Sequence, residues 1–151
     1  MPVTQIGNEV STGSSLPETS PDGTVVGGHP INLQCTVSGS GSYSLTLYAN
    51  DNDNGTTTIN GQGVTSQGST SISGTFVTAL TGTVYDGSGC TLTFTFPGKT
   101  NMLPAGAVAI GPGQIWGHVS CPAATAEGQA QGSGAATCDV ESDFLFENCA
   151  D

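Results

Sequence analysis

Five cysteines hold the most specific chemistry in this sequence: Cys35, Cys90, Cys121, Cys138 and Cys149. No two of them stand in C-x-x-C spacing, which argues against a zinc knuckle and against a dithiol redox motif. Thiols this far apart, in a chain rich in Gly, Ser and Thr, point to structural disulfides formed in an oxidising compartment. Three of them should face inward, because side chains alternate across a strand. Cys35 shares the parity of Ile31, Leu33 and Val37, Cys90 that of Leu92 and Phe94, and Cys121 that of Ile115 and Val119. A Cys35–Cys90 bridge across a sandwich core is the first pairing to expect. Cys121 would then close the Gly/Ala-rich loop by bonding Cys138, or bond Cys149 instead. The odd count leaves one thiol free or joined to another chain.

The run Asn50-Asp51-Asn52-Asp53-Asn54-Gly55 offers oxygen ligands in alternation, with Asp51 and Asp53 as the carboxylates a calcium ion would use. An EF-hand loop begins with a carboxylate and ends on Glu at its twelfth position, but Asn50 and Gly61 stand there. The run therefore reads first as a hairpin turn, since Asn and Asp tolerate left-handed backbone, with calcium as the alternative. No other cofactor is expected.

His118 lies between Trp116 and Ser120, on the strand face opposite Ile115 and Val119. With an exposed Trp116 it would line a ligand patch, and Tyr43 and Tyr48 are further aromatics for stacking; a structural Trp–His contact is the plainer reading. Asp139, Glu141 and Asp143 share one face and are expected to sit in water. His29 and His118 are far apart in the chain, so a His-rich metal site is not expected. Nothing matches a serine-hydrolase elbow, a zinc-protease helix, a P-loop or a dinucleotide fingerprint. No catalytic residue is assigned, and the chain reads as non-enzymatic.

Lys99 is the one basic side chain besides the histidines, and 12 Asp and Glu give a formal net charge of −11. Such a surface repels phosphate backbones and anionic lipid, which argues against nucleic-acid and membrane-surface partners. No apolar run is long enough to cross a bilayer as a helix. Residues 1–10 are polar and lack a signal-peptide core, so the sequence is expected to start after a removed signal, with Met1 added.

The elements that position these residues are strands. Residues 1–29 read as a flexible or extended N-terminal segment, with little to bury, and residues 30–151 as one domain. Strand signals recur over 31–37, 43–49, 56–60, 71–80, 82–85, 90–96, 105–110 and 115–121, with Gly and Asn turns between them. A last strand over 138–149 would dock through Phe144 and Phe146. No strand–helix alternation is present, so the expected fold is all-β: an antiparallel β-sandwich, Ig-like or jelly-roll-like, supported by disulfides.

The segment Gly113-Gln114-Ile115-Trp116-Gly117-His118-Val119-Ser120-Cys121-Pro122, followed by Cys138 and Asp143-Phe144-Leu145-Phe146-Glu147-Asn148-Cys149, resembles the C-terminal part of small predicted secreted lipoproteins of myxobacteria-like bacteria. The resemblance covers the last third of the chain. It implies an extracytoplasmic location and envelope attachment, and brings no activity or site residues. The lipid-bearing N-terminal cysteine of such proteins is not in this sequence.

Three functions follow as expectations. The first is an extracellular or cell-envelope domain with a structural or binding role and a protein or glycan partner. The second is a subunit of a filament or shell, self-associating through the N-terminal segment or the odd cysteine. The third is a carbohydrate-binding module.

Overall fold

The computed structural model describes residues 4–8, 23, 25–26, 28–51, 55–78, 81–95, 108–127, 137–146 and 148–150. Alternating apolar and hydroxyl-bearing residues give strands throughout. In chain order they are β1 (Thr4–Asn8), β2 (Val25–Val26), β3 (His29–Pro30), β4 (Asn32–Gly39), β5 (Tyr43–Asp51), β6 (Gly55–Val64), β7 (Ser69–Thr78), β8 (Val84–Thr93), β9 (Ile110–Gly111), β10 (Gln114–Ala126) and β11 (Thr137–Phe146). Seven of them, in the order β11-β10-β8-β7-β6-β5-β4, form an antiparallel sheet curled into a half-barrel. β1 lies parallel to β11 at one edge, β9 pairs with the start of β10, and β2 with β3 forms a separate hairpin.

The expected all-β, antiparallel, disulfide-supported class is what the structure shows. The ladder runs through one continuous sheet. Its layering comes from curvature, which brings Leu47, Ala49 and Ile59 on one arm to Phe144 and Phe146 on the other. The segments 82–85 and 90–96, read separately from sequence, are largely one strand, β8. Its Asp86–Gly89 stretch looks like a turn but continues the ladder through a bulge: Ile72 pairs with Cys90 and Ser73 with Ser88, leaving Gly89 extra at φ +69°. Of the segment 105–110, residues 105–107 lie outside the described residues, as does Phe96.

The inner face carries Val37, Leu45, Ile59, Ile72, Phe76, Leu92, Val119 and Phe144, all buried. Tight curvature crowds this face, and glycine relieves it. A Cβ on Gly61 would stand 2.5 Å from Ile72 Cδ1, and one on Gly117 would stand 2.7 Å from Leu92 Cδ1 and 2.9 Å from Phe144 Cε2. Larger residues there would displace these side chains from their places on the inner face.

The chain's end draws the sheet together. After β11 it crosses to β4, where Val37 N donates to Ala150 O at 2.9 Å and Ala150 N donates to Cys35 O at 3.0 Å. Beside it, Gly113 N donates to Val37 O at 3.1 Å and Cys149 N donates to Gly113 O at 2.8 Å.

The disulfides are Cys35–Cys149, with Cα atoms 4.7 Å apart, and Cys90–Cys121, 4.3 Å apart; Cys138 is a free, half-buried thiol. This corrects the expected Cys35–Cys90 bridge and both proposed partners of Cys121. Parity told which face each thiol occupies but not which strand lies beside it. β5, β6 and β7 separate Cys35 from Cys90, whereas Cys90 and Cys121 stand on neighbouring strands, one step beyond the Thr91–Ser120 pair.

Loop-closure entropy ranks the two bridges. The Cys35–Cys149 bridge spans 114 residues and by that model stabilises by about 5 kcal/mol, against about 4 kcal/mol for the 31-residue Cys90–Cys121 loop. Urea unfolding of the Cys35→Ser/Cys149→Ser and Cys90→Ser/Cys121→Ser pairs should show the larger loss in the first. The reverse order would mean that packing of Cys90–Cys121 outweighs chain entropy.

Candidate functional site

The most chemically loaded place lies on β10 and β11. These strands pair so that Trp116 faces Leu145, His118 faces Asp143 and Ser120 faces Glu141. Their inner face belongs to the core, yet the outer face is buried too: Trp116 is 1% exposed, His118 5% and Asp143 3%. His118 Nδ1 donates to Asp143 Oδ1 at 2.7 Å.

An imidazole oriented by a carboxylate is one half of a nucleophile-activating arrangement; the other half is a hydroxyl or thiol at the far ring nitrogen. Thr93 of β8 stands directly across from His118. Its hydroxyl is turned along its own strand and donates to Thr95 O at 3.1 Å. The pair is sealed from solvent, so its chemical effect is internal. It ties β10 to β11 by a charge-assisted bond where a lone buried imidazole or carboxylate would be costly.

Trp116 and His118 therefore do not form the exposed ligand patch read from sequence. The sequence places them on the outer face, which is correct, but that face is covered here. Tyr43 is half-buried against the core, on the inner parity of Leu45 and Leu47. Tyr48 is half-buried on the outer face of β5 and is the one proposed aromatic left for a surface role. Asp143, expected in water beside Asp139 and Glu141, is instead buried and bonded to His118. The signal was cross-strand register, which no local pattern within either segment carries.

Asp51 ends β5 and pairs with Gly55 at the start of β6, so the Asn/Asp run joins two antiparallel strands; Asp53 lies outside the described residues. Asn50 Oδ1 accepts a bond from Thr56 Oγ1 at 3.2 Å. Among the described residues no group of three or more His, Cys, Asp or Glu side chains is placed to hold a metal ion.

Where the arms of the half-barrel meet, a gap of about 10 Å³ is lined by Leu47, Ala49, Ile59, Phe144 and Phe146 among others. Ligand pockets usually run to about 300–1,000 Å³ and place a few polar groups among apolar ones. This gap is far smaller, and the inward-facing side chains Leu47, Ala49, Ile59, Phe144 and Phe146 that line it are all apolar. Among the described residues no helix is long and apolar enough to cross a membrane. Comparison of the chain with protein-family models, curated proteins and solved structures finds no match.

Breaking the buried pair on one side removes this bond from the partner that remains in a site withdrawn from water. His118→Ala or Asp143→Ala should destabilise by about 3–5 kcal/mol in urea unfolding, whereas a joint His118→Phe/Asp143→Leu change should cost far less. Equal losses in the single and joint variants would show that the two side chains act independently.

Proposed function

We propose that this chain is a non-enzymatic extracellular or cell-envelope domain with a structural or binding role. The observation that carries the reading is the sealing of the His118–Asp143 pair into the sheet. It leaves an outer surface of hydroxyls, amides and scattered carboxylates, suited to contact and poorly suited to proton transfer. The two disulfides fit an oxidising compartment, and the likeness of residues 113–149 to secreted lipoproteins of myxobacteria-like bacteria supports the envelope.

A thiol count tests the compartment. The chain recovered from its native host under acid quench, then alkylated without reduction, should carry one modified cysteine, Cys138. Five modified cysteines would place the protein in a reducing compartment and end this reading.

A second reading, a subunit of a filament or shell, is favoured by β1. Among the described residues it is the one strand that joins the main sheet in parallel, and it comes from the opposite end of the chain to cover the edge of β11. The same ladder forms equally well when β1 is supplied by a neighbour, which makes exchange between copies energetically cheap. In native mass spectrometry the full chain should populate a dimer or larger species, and deleting residues 1–10, which removes β1, should abolish it. A full chain that stays monomeric, or an oligomer that survives the deletion, would rule out exchange.

A further inference from the structure

We infer that the outer face of β4–β7, centred on Tyr48, binds uncharged polysaccharide. The inference deepens the binding role proposed above and rests on it. Charge distribution is the first support. In a chain of net charge −11, no Asp, Glu, Lys or Arg occurs between residues 32 and 50 or between 55 and 78, so apart from Asp51 at the end of β5 these four strands carry no charge while the rest of the sequence is acidic.

The second support is the arrangement around Tyr48. Pairing registers place Gln34 and Thr58 on either side of it, and Thr46 and Asn50 precede and follow it on the same face of β5. Thr46 Oγ1 donates to Asn60 Oδ1 at 3.2 Å, and Thr56 Oγ1 donates to Asn50 Oδ1 at 3.2 Å. Each carboxamide is thus fixed through its carbonyl, with its NH2 group left for an external acceptor. A half-buried phenol ring held by its strand, flanked by positioned amides and hydroxyls, meets what a sugar presents: an apolar C–H face rimmed by hydroxyl groups.

Ligand identity follows from charge. A polyanion is repelled by the surrounding carboxylates, and an extended peptide satisfies its backbone groups at a sheet edge, not on the side-chain face of paired strands. Neutral glycan hydroxyls both donate and accept, and they can satisfy amides and threonines together.

Affinity electrophoresis of the full chain provides the test, in gels containing a soluble neutral glucan, mannan or galactan, with a polyuronate as the charged control. At least one neutral polymer should retard the protein and the polyuronate should not. Tyr48→Ala should weaken retardation by about fivefold, roughly the loss of one stacking contact, while Tyr48→Phe should retain it. Asn60→Asp, at an exposed position, should also weaken it without disturbing the fold. No retardation by any neutral polymer overturns the inference, as does retardation unchanged in both Tyr48→Ala and Asn60→Asp. A single alkylated cysteine beside a negative gel would discard the glycan and leave the extracytoplasmic reading standing.

Discussion

The seating of Cys149 and Ala150 on β4 is the contact on which the half-barrel depends. From β4 to β8 every connection is between sequence neighbours, so those strands could in principle form a simple open sheet. An open sheet has two free edges, each with unpaired N–H and C=O groups. Here the chain's last residues cross to the first strand of the seven and bond to Cys35 and Val37, and the Cys35–Cys149 disulfide fixes the contact covalently. Gly113, at the β9–β10 turn, bonds to both parties and so ties β10 into the same knot. Curvature is thus imposed from the ends, and the gap between Leu47 and Phe146 is what remains of the space between the arms.

That curvature has to be accommodated on the inner face, where side chains converge. Gly61, Gly74, Gly87 and Gly117 occupy inner positions on four different strands. The space a Cβ would need is filled by Ile72, Phe76, Cys121 and Leu92 respectively, among others. Small residues beside large ones on the same and neighbouring strands let the inner face pack at close-packed density. Gly87 also makes room for Cys90–Cys121, since a Cβ there would lie 3.0 Å from one sulfur and 3.3 Å from the other. The bridge and the bulge at Gly89 therefore belong to one local solution: β8 bends where its disulfide must reach β10.

Most of the strands could be read from the sequence because alternation is a local signal. Cys90-Thr91-Leu92-Thr93 and Ile31-Asn32-Leu33-Gln34-Cys35 announce both a strand and its inner face. What could not be read depends on register between distant segments. The disulfide partners failed for this reason, and so did the His118–Asp143 pair, whose members are 25 residues apart. The burial of Trp116 was hidden for a different reason. Alternation assigns one face to the core and leaves the other to solvent by default, whereas β10 and β11 are buried on both. The Asn/Asp run was legible as a turn because its residue types specify backbone conformation directly. The neutrality of β4–β7 was visible in the sequence as well, but only pairing registers show that its hydroxyls and amides align around Tyr48.

The outer surface of the sheet is thereby divided by strand. On β10 and β11 it holds Trp116, Leu145 and the His118–Asp143 pair, all withdrawn from water. On β4–β7 it holds a neutral array in which Ser44 donates to Gln62 at 2.8 Å and Thr46 donates to Asn60. β8 marks the transition, with Asp86 accepting from Thr75 Oγ1 at 2.9 Å. Such a division has a physical consequence. Titratable groups on the buried side are committed to holding strands together, and a change there is felt as stability. The neutral side contributes little to the core, so its composition is free to be set by what it touches. Apart from Asp51 at the end of β5, these four strands carry no charge in a protein otherwise strongly acidic, so contacts on this face rest on hydrogen bonding and on the ring of Tyr48.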